Sequence, residues 1–249
     1  MVFEPLDYKA AKKKLDAAGI SVGCLASGIG LEKEMANDHR KFAAELKNAI
    51  KIAHEVGAKT LLHYGTELFT SGNPDFMKLK LYWQDAADLA ASLGIEMVLE
   101  NEPDDYTCTP ERMLSIVEGM NSPAFKTNYD PTNYYHYQMN SQAFPYGYNL
   151  LKPYIGYVHI KNAVRYEPQF CPDKYWIGTP IRGREEKGDI YYTEADLGAV
   201  NIAGLLELLH KDGYEGICTP EPLHTTHERA YERLAHDVTY LRKTGYFTK

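Results

Sequence analysis

No apolar run in these 249 residues approaches the ~18 needed to cross a bilayer, so a membrane-spanning role is not expected. The opening MVFEPLDYKAAKKK carries acidic residues where a secretory leader would be basic and then apolar, and a cytoplasmic protein is expected. Cysteine is scarce. Cys24, Cys108, Cys171 and Cys218 lie far apart, with no CxxC spacing and no histidines at zinc-finger distances, and they read as reduced, buried thiols. Basic charge is also short: 27 Lys and Arg face 34 Asp and Glu, for a net charge of -7, which argues against a nucleic-acid partner. A Gly-rich phosphate fingerprint is missing, which counts against a dinucleotide-binding sheet. With 44% hydrophobic and 24% charged residues the chain is neither disordered nor fibrous.

What is present is a rhythm. In AAGISVGCLAS, EVGAKTLLHYG, SLGIEMVLEN and KDGYEGICTPE an amphipathic helix ends at glycine and an apolar strand follows at once. The glycines are Gly19, Gly57, Gly94 and Gly213; the first three are 38 and 37 residues apart, and the last gap of 119 is close to three more units. Phe42, Leu46, Ala49, Ala53 and Val56 form one helical stripe, and Leu79, Trp83, Ala86, Ala90 and Leu93 another. Asn73-Pro74 and Thr109-Pro110 offer a cap followed by proline at the first helical position, and Thr225 with Glu228 spells a capping box. Strands are expected near residues 2–4, 20–25, 59–63, 95–100, 125–130, 155–160 and 215–220. Seven short buried strands alternating with helices predict an α/β fold of the TIM (β/α) barrel type, with the first βα unit apparently lacking. We expect one domain over residues 1–249, interrupted by a long irregular insertion at 166–199. An incomplete barrel exposes strand edges, so a homo- or hetero-oligomer is expected.

Four of the apolar runs reach a residue able to bind a metal: MVLE at Glu100, TNYD at Asp130, YVHI at His159 and GICTPE at Glu221. Strand C-termini of a parallel barrel open on one face, so these residues can converge although 121 positions separate the outermost two. Three carboxylates and an imidazole brought together need a cation. Oxygen donors with one nitrogen suit Mn²⁺ first, with Mg²⁺, Co²⁺ or Fe²⁺ as alternatives. Alternation from His159 puts Lys161 on the same inward face, within reach of a substrate oxygen. His63, ending LLHYG, is a candidate for binding a hydroxyl. Tyrosine is abundant, 20 in all, and Tyr134, Tyr135, Tyr137, Tyr175, Tyr191 and Tyr192 cluster in presumed mouth loops, where a flat face and a hydroxyl suit a sugar.

Over most of its length, on LLHYG, VLEN, YDPTN, VHIKNAVR and GYEG followed by PE, the sequence resembles the xylose isomerase-like TIM barrels, sugar phosphate isomerases and epimerases that include ketose 3-epimerases and keto-inositol dehydratases. The resemblance implies metal ligation by Glu100, Asp130, His159 and Glu221, in that order, and a substrate contact from Arg165, six residues after the metal histidine. It also marks departures. Asn133 stands where the epimerases carry a substrate-touching histidine, Asn162 follows the retained Lys161 where aspartate is common, and the 62 residues from His159 to Glu221 are a long spacing for a simple epimerase.

These residues imply a divalent-metal isomerase or epimerase of a keto sugar, working through an enediolate with Glu100 and Glu221 as acid and base. A lyase or dehydratase on a keto-inositol or 3-oxo-glycoside would use the same site, and the insertion at 166–199 suits its bulkier substrate. A non-catalytic barrel subunit that binds a sugar or a partner is the alternative from another class.

Overall fold

The computed structural model describes residues 7–29, 39–65, 76–138, 142–170, 190–223 and 227–246. They form two compact units, residues 1–100 with 115–127 and residues 101–114 with 128–249. The expected strand at 2–4, the Asn73-Pro74 and Thr225 caps, Cys171, Tyr175 and most of the insertion lie outside the described residues.

The first unit contains α1 (Tyr8–Ala17), β1 (Cys24–Ala26), α2 (His39–Val56), β2 (Thr60–His63), α3 (Phe76–Leu93) and β3 (Glu96–Glu100). The glycine punctuation is real. Ala58 N–H donates to Ala53 O and Ile95 N–H to Ala90 O, both at 2.9 Å, across Gly57 and Gly94 with φ of +82° and +67°. Each helix thereby satisfies a terminal carbonyl and turns straight into its strand, a conformation that costs any residue with a Cβ roughly 1 kcal/mol. The α2 stripe is buried throughout, and Trp83, Ala86 and Ala90 of α3 are buried with it.

Strands β1, β2 and β3 are parallel, with Leu62 beside Val98 and His63 beside Leu99. Neighbours in register share a face, and alternate residues take opposite faces. Val98 and Glu100 therefore point one way, and Leu99 and His63 the other. This corrects the expectation for His63. Its ring is fully buried, edge-on to Trp83 and Phe125 at 5.6 and 5.5 Å, and neither nitrogen makes a hydrogen bond of standard geometry. Strand-end position suggested a mouth residue; counting parity from Glu100 puts it against the helix layer instead.

Burial pushes the His63 imidazole down to about 3, with the backbone of Tyr64 offsetting part of the effect. A histidine that loses basicity on folding takes up its proton only on unfolding. Its contribution to stability is complete above about 6.5 and declines as pH falls from there toward 3. Between pH 8 and pH 5 wild type should lose ~2 kcal/mol that His63→Leu retains, read as a difference in the pH slope of urea unfolding. Equal slopes would rule this out.

α4 (Pro110–Met120) begins where Thr109-Pro110 was expected to start a helix, with Thr109 Oγ1 accepting from Arg112 N at 3.4 Å. β4 (Phe125–Tyr129) then passes from the first unit into the second, where α5 (Pro131–Gln138), α6 (Gly147–Leu151), β5 (Ile155–Ile160), β6 (Asn162–Arg165), β7 (Ile190–Thr193), α7 (Ile202–Lys211), β8 (Ile217–Pro220) and α8 (His227–Lys243) follow. The main sheet has the order β1-β2-β3-β4-β5-β8, and β6 and β7 make a separate antiparallel ribbon. That ribbon corrects the reading of 166–199 as wholly irregular, since Ile190–Thr193 is a strand. Tyr134 is corrected too: it is fully buried against Tyr129, centroids 5.9 Å apart, as core of the second unit. Cys24 and Cys218 are half-buried and Cys108 is buried; none of the three is in a disulfide. No helix among the described residues is long and apolar enough to cross a membrane.

Candidate metal centre

Within the second unit β5 and β8 are parallel, with His159 beside Thr219 and Ile160 beside Pro220, and Glu221 N–H extends the ladder by donating to Ile160 O at 2.9 Å. Parity places His159, Lys161, Thr219 and Glu221 on one face, and Ile160 and Cys218 on the other. Asp130 enters from the end of β4. Its Oδ1 accepts from Thr132 N and Asn133 N at 2.9 and 3.0 Å, capping α5 ahead of Pro131. One carboxylate oxygen is thus committed to the helix, which fixes where the other points.

That second oxygen meets the rest of the cluster. Asp130 Oδ2 lies 2.8 Å from Lys161 Nζ and 3.8 Å from His159 Nδ1. Glu221 Oε2 lies 2.7 Å from Lys161 Nζ and 3.4 Å from His159 Nδ1. Asp130, His159 and Glu221 each offer a ligand atom within 4.8 Å of the others. Burial opposes ionisation of Asp130, but the Lys161 ammonium, followed by His159, outweighs it and holds the carboxyl below the usual range. The Lys161 ammonium already sits as a shared cation between the two carboxylates.

The donor set fits a hard divalent ion. Oxygens and one imidazole nitrogen with pair separations of 3.4 and 3.8 Å are spaced as ligands of a single ion bound at about 2.1 Å. Lys161 offsets only one of the two negative charges of Asp130 and Glu221, which leaves a net anionic pocket.

The supporting residues are ones the sequence reading passed over. Asn101 grips the Asp130 backbone with both ends of its amide, Nδ2 to Asp130 O at 2.8 Å and Asp130 N to Oδ1 at 2.9 Å. Asn128 Nδ2 lies 3.1 Å from His159 Nδ1, and Thr132 Oγ1 donates to Lys161 O at 2.6 Å. Asn128 is two residues before Asp130, so the alternation that found Lys161 also points to it. Asn101 simply follows Glu100 in VLEN.

The remaining expected residues are placed as follows. Glu100 is buried at the end of β3, the last residue of the first unit, and its peptide bond joins it to Asn101. Asn133 is buried and donates through Nδ2 to Asn101 O at 2.8 Å, so its amide braces the loop after β3. Arg165 is exposed at the end of β6, opposite Ile190.

The sequence profile of the family described as xylose isomerase-like TIM barrel matches residues 1–244, and the chain belongs to that family. No curated protein matches it. Among solved structures it resembles a xylose isomerase domain protein from Planctomyces limnophilus, at 21% identity and a TM-score of 0.71 over 95% of this chain and 82% of that one. A xylose isomerase-like TIM barrel protein from Mycobacterium smegmatis, in complex with magnesium, aligns at 20% identity and a TM-score of 0.71 over 96% and 78% of the two chains. A 3-keto-D-glucoside 4-epimerase from E. coli aligns at 15% identity and a TM-score of 0.64 over 94% and 84%. Identities this low establish the fold and leave the reaction to the site.

Proposed function

We propose that the chain is a divalent-metal-dependent isomerase or epimerase of a keto sugar. The observation that carries this is the meeting of Asp130 Oδ2, His159 Nδ1 and Glu221 Oε2 around Lys161 Nζ at the ends of three neighbouring strands. Glu100 is proposed as the fourth ligand. Its Cα lies ~3.8 Å from that of Asn101 by covalent geometry, and Asn101 is the residue that clamps Asp130. With Glu100 included, three carboxylates against Lys161 leave two negative charges, which a divalent cation neutralises. Mn²⁺ is our first choice of ion, and the magnesium in the M. smegmatis protein supports an ion of this hard class.

The cation would supply polarisation of a substrate carbonyl. The chain's own residues divide the remaining work. Asp130 has no exposed side-chain surface and is tied to α5, so it holds its position, whereas the Glu221 side chain is 35% exposed and can approach a substrate C–H. Glu221 is the proposed proton-moving group, with Glu100 as its counterpart. Lys161 holds the Glu221 carboxylate in place and offers its ammonium to a substrate oxygen. The name of the E. coli relative supports a keto sugar as the substrate class. A lyase on a keto-inositol or 3-oxo-glycoside is the second reading, favoured by the β6–β7 ribbon built partly from the insertion.

Elemental analysis is expected to find about one divalent metal per chain in wild type and little in Asp130→Asn. Equal content in the two proteins, or none in either, would remove the metal centre. Ketoses incubated in D₂O with wild type should gain deuterium at carbon without losing any group. Release of water or an aglycone from a 3-oxo-glycoside, with no deuterium in any ketose, would favour the lyase.

A further inference from the structure

The β6–β7 ribbon brings one more side chain to this face of the second unit. Alternation from His159 through Lys161 continues to Ala163, and Ala163 stands directly opposite Tyr192 in the antiparallel register. Residues paired in this way share a face, with Cβ atoms ~5 Å apart. Ala163 contributes only a buried methyl, so the half-buried ring of Tyr192 lies over it, on the side that carries His159 and Lys161. Tyr191, paired with Val164, takes the opposite face.

A second observation agrees. Burial, first, pushes the Tyr192 phenol up to about 12; the Lys161 ammonium offsets part of this, and the charges of Asp130, Glu102 and Glu221 add to the rise. Three of these groups belong to the cluster or touch it, which sets the phenol beside the centre and keeps it a hydrogen-bond donor at any ordinary pH. The ribbon is also held firmly. Ala199 N–H donates to Ala163 O at 2.8 Å, and Ala195 N–H, two residues beyond β7, donates to Asp237 of α8 at 2.9 Å. A donor on so fixed a support is pre-placed for a ligand.

We propose that Tyr192 is a substrate-contacting residue of this site, its hydroxyl donating a hydrogen bond to an oxygen of a hydroxyketone bound over Asp130, His159, Lys161 and Glu221. This rests on the metal reading above and adds to it a specificity element drawn from the insertion. The ring walls one side of the pocket, and the hydroxyl selects a ligand with an acceptor at that point.

The test uses Mn²⁺ uptake and calorimetric titration of glycolohydroxamate, a chelating mimic of a hydroxyketone, on the full chain. Wild type, Tyr192→Phe and Tyr191→Phe are expected to take up the same Mn²⁺. Tyr192→Phe should bind the hydroxamate about three- to tenfold more weakly, the effect of one lost hydrogen bond, and Tyr191→Phe should match wild type. Equal hydroxamate affinity in Tyr192→Phe and wild type overturns the inference while the metal centre stands. So does a matching loss in Tyr191→Phe, which would mean a disturbed ribbon, or a wild type that takes up Mn²⁺ but no hydroxamate. A wild type that takes up no Mn²⁺ overturns the metal reading, and this inference with it.

Discussion

Glu221→Gln is expected to lower deuterium incorporation from D₂O into a ketose by about 10²- to 10⁴-fold, the usual worth of a positioned general base. The amide keeps the volume of the carboxylate, and its oxygen can still accept from Lys161 Nζ, now 2.7 Å from Glu221 Oε2. What it cannot do is take a proton from carbon. The contrast with Asp130→Asn makes the result informative. Asp130 is buried and caps α5 through Thr132 and Asn133, so losing its charge should remove metal and activity together. Glu221→Gln should keep a measurable share of the metal while losing the exchange. Glu100→Gln provides the same comparison for the proposed counterpart. An exchange rate for Glu221→Gln within threefold of wild type would exclude Glu221 as the base, and the proton would have to move through Glu100.

The sequence disclosed the frame because the frame repeats. Helix stripes at steps of three and four, each closed by a glycine that must take positive φ, are local signals, and residues such as Leu46, Ala53, Ala86 and Ala90 are buried as the stripes require. Asp130, His159, Lys161 and Glu221 were legible for a related reason, since strand ends of a parallel sheet gather on one side. Three kinds of feature escaped. His63 also ends a strand, but one step of parity separates it from the face of Glu100, and only the pairing with Leu99 reveals this. The asparagines escaped because an amide that braces a loop through backbone groups 29 or more residues away leaves no periodic trace; Asn101 on Asp130 is such a case. The β7 strand was hidden by its setting, four residues inside a stretch rich in Tyr, Gly and charge whose partner, β6, lies 25 residues back.

Asn162 shows how such an amide shapes the site, and its replacement by alanine is expected to cost ~3 to 5 kcal/mol. Its Nδ2 donates to Ala195 O and Val200 O, both at 2.8 Å, and its Oδ1 accepts from Ala163 N and Val200 N at 2.9 and 3.0 Å. All four bonds are buried, so truncation strands backbone groups away from water, and each stranded group costs about 1 to 3 kcal/mol. This accounts for asparagine rather than aspartate at this position. A carboxylate keeps the two accepted bonds but sets a second anionic oxygen against the carbonyls of Ala195 and Val200, so Asn162→Asp should be as damaging as alanine. Gly198→Ala should disturb the same loop from its other side, because an added Cβ would lie 2.0 Å from Asn162 Oδ1. Urea unfolding at neutral pH measures the loss directly. The consequence reaches the site, since residues 195–200 follow β7, and a loosened loop should weaken hydroxamate binding through Tyr192 while leaving Asp130, His159 and Glu221 able to take up metal. A destabilisation below about 1 kcal/mol in Asn162→Ala would mean that water replaces the amide, and that the ribbon holds its place without it.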